Sequence, residues 1–283
     1  MSADSAATAT PAARPGVVDC HHHIYDSRFT ADPRATLRAP DATVDDYRRL
    51  RMQLGITYSV IVQPSTYGTD NRCLVDALAQ LGPAARGIAV VDSTVRRAEL
   101  DRLHVAGVRG VRFNLSRPAG APFDDIDLLA RAIAPLGWHV LIHASADALL
   151  PVIDRLRRLA VPVVIDHLGR LPQPLGIGHP AFAALRRLVD EGNTWIKLSG
   201  VYHDSKSGAP DYADAAEVFC AWAQAAPERA LWGTDWPHTA AVAGEKPMPD
   251  DARMLALVDD WVPDVTRRRR ILVDNAMAFY GFG

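Results

Sequence analysis

Short apolar runs rich in Val, Ile and aromatic residues recur near 16–23, 56–63, 86–92, 107–114, 138–143, 162–167, 194–200 and 229–235. Each has the length and β-branched character of a buried strand. Between them the apolar positions shift to helical spacing, as in 45–54, 73–81, 98–104, 125–134, 148–159, 180–191 and 213–225. Strands and helices alternating through short connections predict an α/β chain folded as a (β/α)8 TIM barrel, a single domain over 16–283. The competing open doubly wound sheet is disfavoured because no Gly-x-Gly-x-x-Gly loop follows the first run, which also sets dinucleotide binding aside. Residues 1–15 are rich in Ala, Ser, Thr and Pro and lack the basic start and hydrophobic stretch of a secretion signal. They read as a disordered N-terminal tail.

Side chains alternate between the faces of a strand, so parity sorts each run into two sets. Asp19, His21 and His23 fall on one face and His22 on the other. Gly110, Arg112 and Asn114 form a second set, with Arg109, Val111 and Phe113 opposite, which points Arg112 inward and leaves Arg109 to cap the outside. Gln63 pairs with Ser65, and Trp195 and Lys197 with Ser199, although parity does not choose the direction of Lys197.

Lys plus Arg number 31 against 33 Asp plus Glu. This near balance removes the electrostatic case for a nucleic acid or an anionic membrane and leaves a small molecule as the expected partner, with the number of subunits open. The arginines at 267–270 read as the solvated face of a late helix. No apolar stretch approaches the roughly 20 residues of a membrane span. Cys20, Cys73 and Cys220 are too few and too widely spaced for a disulfide framework or a zinc cluster, which predicts a reducing cytoplasm.

The chemistry lies at the strand ends. His21, His23, His143, His167 and Asp235 each close an apolar run before a loop, and would project from one rim of a barrel, where the active sites of this fold gather. His-x-His on one strand face sets two imidazoles about 7 Å apart, within reach of one ion or one substrate oxygen.

Asp-x-His-x-His at 19–23, His143, Asp-His-Leu-Gly-Arg at 166–170 and Gly-Thr-Asp-Trp-Pro-His at 233–238 resemble the amidohydrolase superfamily (amidohydrolase family 2). Val62-Gln63-Pro64-Ser65 with Gly68-Thr69-Asp70-Asn71, the stretch 107–114 and Val273-Asp274-Asn275 are similar to its branch of 2-pyrone-4,6-dicarboxylate lactonases and sugar-acid lactonases. The likeness extends over nearly everything from Gly16 onward. It implies hydrolysis of a carboxylated lactone, with Asp235 as general base for water and His167, His21 and His23 stabilising the charge that develops on the carbonyl oxygen.

Two-metal members of the superfamily use a bridging lysine or similar ligand on the fourth strand, where this chain has Arg112-Phe113-Asn114. The resemblance therefore implies either no cofactor or one divalent metal, Zn or Mn, held by His21, His23, His143 and Asp235. The pyrone lactonases work without a metal, yet carry another residue where His143 stands. Arg112 and Arg117 match the spacing at which those enzymes hold substrate carboxylates, a task suited to the planar guanidinium fork. Ser65, and more weakly Gln63, would add neutral hydrogen bonds, and Tyr67 would wall the pocket. The segment 31–40 lacks the aromatic residue common in relatives, so its roof differs.

Tyr202, His203 and Lys206 follow the seventh strand in an arrangement also seen in sugar-acid lactone isomerases, but those lack the eighth-strand aspartate. Asp235 thus favours hydrolysis of an anionic lactone. The alternatives are a one-metal decarboxylase of the same superfamily and a non-catalytic binder of an anionic metabolite.

Overall fold

The computed structural model describes residues 16–116 and 120–283. The predicted tail at 1–15 and Arg117 lie outside the described residues. All eight expected strands are present: β1 Val17–His22, β2 Ile56–Val62, β3 Ala85–Ala89, β4 Val108–Asn114, β5 His139–His143, β6 Val163–Ile165, β7 Thr194–Leu198 and β8 Ala230–Trp232. They pair in parallel in chain order. The ring closes where His22 bridges Trp236, with the Asp235 N–H donating to the His21 carbonyl and the His23 N–H to the Trp236 carbonyl, both at 2.8 Å. The result is the expected TIM barrel.

Each connecting helix is set by local chemistry. Over Val44–Leu54, Thr43 caps the first turn and Asp46 reaches back to the Thr43 N–H, while Gly55 in the left-handed region ends the helix. The face carrying Val44, Tyr47, Leu50 and Leu54 is buried. The helix expected over 148–159 is instead broken into Ala146–Leu149, Leu150–Val152 and Ile153–Arg157, because Pro151 lacks the N–H an α-helical interior needs. A further helix, Asp251–Trp261, follows β8. Among the described residues no helix is long and apolar enough to cross a membrane.

Two cores result. The large one lies between strands and helices. The smaller fills the barrel with Val18, Cys20, Val60, Val62, Ile88, Leu141, Val164 and Leu231, and is stoppered from the strand-start side by Ala276, Tyr280 and Phe282. Arg86 ties this stopper down by donating to the carbonyls of Tyr280 and Gly281.

The first strand departs from simple alternation. Between Asp19↔Ser59 and His22↔Ile61 its register gains one residue on β2, a bulge that lets two successive side chains face the same way. Cys20 belongs to the inner core and His21 also points inward, toward Asp166 and Lys197. Asp19 therefore does not share the face of His21 and His23. It turns outward and accepts from the hydroxyls of Tyr47 and Thr234 and from the backbone N–H groups of His21 and Thr234. His22 also faces out, stacked on Tyr47 with ring centroids 3.5 Å apart.

Candidate active site

The strand ends open into a cavity of about 320 Å³. His23, Arg112, His143, His167, His203 and Asp235 line its floor and walls, and Thr36 and Leu37 contribute from the segment after β1. Gly233 allows β8 to lie this close to β1, since a Cβ there would meet the His21 backbone N at 2.8 Å.

Asp235 is the hub. Its Oδ1 faces the Nε2 atoms of His21, His167 and His23 at 3.6, 3.8 and 3.9 Å. Its Oδ2 accepts from the Tyr202 hydroxyl at 2.6 Å and lies 2.9 Å from His203 Nε2. Burial pushes the Asp235 carboxyl up, but the imidazoles of His167, His203 and His21 outweigh it and hold the carboxyl well below the usual carboxylate range. The same burial, followed by the neighbouring Asp235 charge, raises Tyr202 well above the ordinary phenol range, so Tyr202 stays a donor. The residue adopts φ 67, a left-handed conformation in which short polar side chains are the best tolerated after glycine.

The other face of each imidazole fixes its role. His23 Nδ1 lies 2.7 Å from the Val62 carbonyl, which can only accept, so Nδ1 carries the proton and Nε2 presents a lone pair to Asp235. Burial pulls His23 down to about 4, keeping the ring neutral. His21 Nδ1 lies 3.1 Å from Asp166 Oδ1 and its Nε2 has no hydrogen-bond partner among the described residues. Burial pushes Asp166 up, but Lys197, His167, Arg112 and His143 prevail and keep it lowered. As an ionised acceptor Asp166 can receive the His21 Nδ1–H, while the Lys197 ammonium, 3.2 Å from the same nitrogen, can only donate to it, so the ring has both an acceptor and a donor behind it. His167 Nδ1 pairs with the Ser199 hydroxyl at 2.9 Å, so this ring is free to accept there and to donate from Nε2. Burial holds His21, His143 and His167 well below the usual imidazole range.

This acceptor-rich convergence fits a divalent cation. Tetrahedral ligands at 2.0–2.1 Å from zinc lie about 3.4 Å from one another, a few tenths of an ångström inside the separations around Asp235 Oδ1. The second-side partners of His21 and His23 also match the pattern that orients metal-binding imidazoles. The geometry alters the predicted ligand set in two places: His23, 3.9 Å from Asp235 Oδ1, stands outside the compact group, and so does His143. His21, His167 and Asp235 form one compact group, whereas His143 falls in another with Asp166 and His167. His143 Nδ1 is 4.0 Å from Asp166 Oδ2. His167 therefore takes the place expected of His143.

Among the expected substrate contacts, Arg112 is buried and inward, donates to the Gln63 carbonyl at 3.1 Å, and keeps its Nε without a partner among the described residues. Arg109 lies on the opposite side, donating to the His104 carbonyl at a helix end. Ser65 reaches the cavity, its hydroxyl accepting from Asn114 at 2.8 Å. Gln63 does not serve the pocket: its amide donates to the Asp70 carbonyl and braces a loop. Tyr67 sits behind the wall, its hydroxyl exchanging hydrogen bonds with the Asp26 backbone, and Tyr25 lines the cavity in its stead.

Sequence reasoning assigned no site role to Asp166 or Arg170, and none on Asp235 to the donors Tyr202 and His203. Asp166 immediately precedes His167, and the turn at His167, φ 50, brings both to the barrel mouth. Arg170 lines the cavity and pairs with Asp204 at 2.7 Å. Lys197 proves to face inward and is wholly buried, 3.2 Å from His21 Nδ1 and 3.5 Å from Asp166 Oδ1.

The profile of the family described as Amidohydrolase matches residues 18–282. D-galactarolactone isomerase of Agrobacterium fabrum is 34% identical over 95% of this chain and 92% of its own length. 2-Pyrone-4,6-dicarboxylate hydrolase of Comamonas testosteroni is 35% identical over 94% of this chain and 90% of its own. A crystal structure of a probable 2-pyrone-4,6-dicarboxylic acid hydrolase from Acinetobacter baumannii with citric acid bound superposes with a TM-score of 0.83 at 28% identity, covering 94% of this chain and all of that one.

Proposed function

The chain belongs to the amidohydrolase family, and from that premise we propose that it is a lactonase that opens an anionic lactone with water activated by Asp235. The observation that carries the reading is the convergence of the His21, His23 and His167 Nε2 atoms on Asp235 Oδ1. A water held there gives its hydrogens to Asp235 and to His23 Nε2, which turns an oxygen lone pair toward the cavity. The ionised Asp235 takes one proton as that oxygen attacks the lactone carbonyl. His167, accepting from Ser199 at Nδ1, offers Nε2–H to the oxyanion. When the ring C–O bond breaks, the proton on Asp235 passes to the leaving oxygen. The products are a carboxylic acid, which releases its remaining proton to solvent near neutral pH, and a hydroxyl or its keto form.

Arg112 supplies the substrate's carboxylate site, with Ser65 also reaching the cavity; Arg117 is proposed as a second contact. The lactone hydrolase and lactone isomerase among the relatives, and the citric acid held by the Acinetobacter protein, support a polycarboxylate-sized anionic lactone, either a pyrone dicarboxylate or a sugar-acid lactone. If a divalent ion is bound, His21, His167 and Asp235 would hold it and it would supply Lewis-acid charge and a water of lowered pKa. The free thiols of Cys20, Cys73 and Cys220 support a cytoplasmic enzyme.

The test is a panel of acidic lactones followed by NMR, which reads ring opening and ring migration in one experiment. Ring opening of a carboxylated lactone is expected. Ring migration without hydrolysis would replace this reading with isomerisation, and inertness toward every member would remove it.

A further inference from the structure

Lys197 is a group that the proposed chemistry leaves unused. Lysine is almost never fully buried unless it is paired, and this one is at 0% exposure in the middle of the barrel. Its ammonium stands at the back of the His21 ring, 3.2 Å from Nδ1, and 3.5 Å from Asp166 Oδ1. Asp166 Oδ1 therefore has the His21 ring and the Lys197 ammonium beside it at 3.1 and 3.5 Å. Both belong to the wall that presents His21 Nε2 to Asp235.

A count of charge around the convergence on Asp235 Oδ1 gives this placement a meaning. Among the described residues at its centre, two acidic side chains, Asp166 and Asp235, face two basic ones, Lys197 and Arg112, all four buried, with Lys197 3.5 Å from Asp166. Arg170 and Asp204 at the rim cancel each other. The centre is thus balanced before any ion enters, and a divalent cation would leave it with two uncompensated charges in a buried, weakly screened place.

We propose that Lys197 is a built-in counter-charge that stands in for part of a metal ion and sets a low divalent-ion affinity for the cradle of His21, His167 and Asp235. The donor atoms are arranged as an ion would want them, and Lys197 opposes occupancy through the ring it touches. This rests on the cradle as read above but not on the identity of the substrate, so a failed lactone panel leaves it standing.

The experiment is Zn²⁺ titration of chelator-stripped protein against a competing colorimetric chelator, for wild type, Lys197→Met, Lys197→Gln and Lys197→Arg, with circular dichroism to verify folding. Lys197→Gln retains an N–H donor for Asp166 and guards against loss of the fold in Lys197→Met. The neutral variants are expected to bind Zn²⁺ about tenfold or more tighter than wild type, with Lys197→Arg close to wild type. Adding His167→Gln to either neutral variant should abolish the gain. Unchanged or weaker binding in the neutral variants, or a gain that survives His167→Gln, would overturn the proposal.

Discussion

The backbone N–H of Asp235 donates to the carbonyl of His21 at 2.8 Å, so the bond that joins the last strand to the first also sets the Asp235 carboxylate against its first imidazole. Closure of the sheet and assembly of the site are one event. This is why a carboxylate and a histidine separated by most of the chain can be held within 4 Å of each other by backbone rather than by flexible side chains.

Asp235→Asn should reduce kcat by about 10²–10⁴-fold while leaving substrate binding nearly unchanged. Asn is the suitable replacement because it tolerates the left-handed backbone at this position. Stopped-flow turnover with calorimetric binding checks it, and an Asn variant with near wild-type kcat would remove Asp235 as base.

Arg112→Met should raise KM for a carboxylated lactone by the worth of a charge-assisted hydrogen bond, about 1.5–3 kcal/mol or roughly 10–150-fold. KM for an uncharged lactone should hardly move. Equal losses on both substrates would mean that Arg112 shapes the pocket rather than binding the anion.

His203→Leu takes away an imidazole held 2.9 Å from Asp235 Oδ2. Contact with His203 is among the influences that depress Asp235, so its removal raises the carboxyl and moves the acid limb of kcat/KM to higher pH. A pH–rate profile with an unmoved acid limb would show that Tyr202 alone holds this oxygen.

Stability should fall as pH drops below about 6.5. In the folded chain burial pulls His23 to about 4 and His139 to about 3, whereas imidazoles of the unfolded chain take up protons near 6.5. The unfolded state then binds more protons, and His23 alone accounts for about 2 kcal/mol lost by pH 5. Asp19 works in the opposite direction: pushed up to about 6 by burial, it keeps a proton in the folded state that the unfolded chain gives up down to about 3.9. It offsets only part of the histidine effect. Urea unfolding at pH 7.5 and 5.0 measures the sum, and equal or greater stability at pH 5.0 would contradict the assignment.

The strand and helix order was legible because strand-length apolar runs and helical spacing announce it, and the rim histidines were legible because each ends such a run. Three features were not. The bulge after Asp19 breaks the two-residue period, so parity put Asp19 on the catalytic face when it serves the outer layer. Tyr25 and Tyr67 belong to loops, where no periodicity tells which ring reaches the cavity. Lys197 fell on the face it shares with Ser199 and Trp195, but choosing inside from outside required knowing that Asp166 and His21 would face it.

The barrel's stopper comes from the last residues of the chain, Tyr280 and Phe282, while its first wall comes from Val17–His22. During synthesis on the ribosome, the strand carrying His21 must wait for its distant neighbour β8 and for the floor at Tyr280 and Phe282 to emerge. A nascent chain that has not yet exposed β8 has the imidazoles without Asp235, so the cavity is assembled late in synthesis.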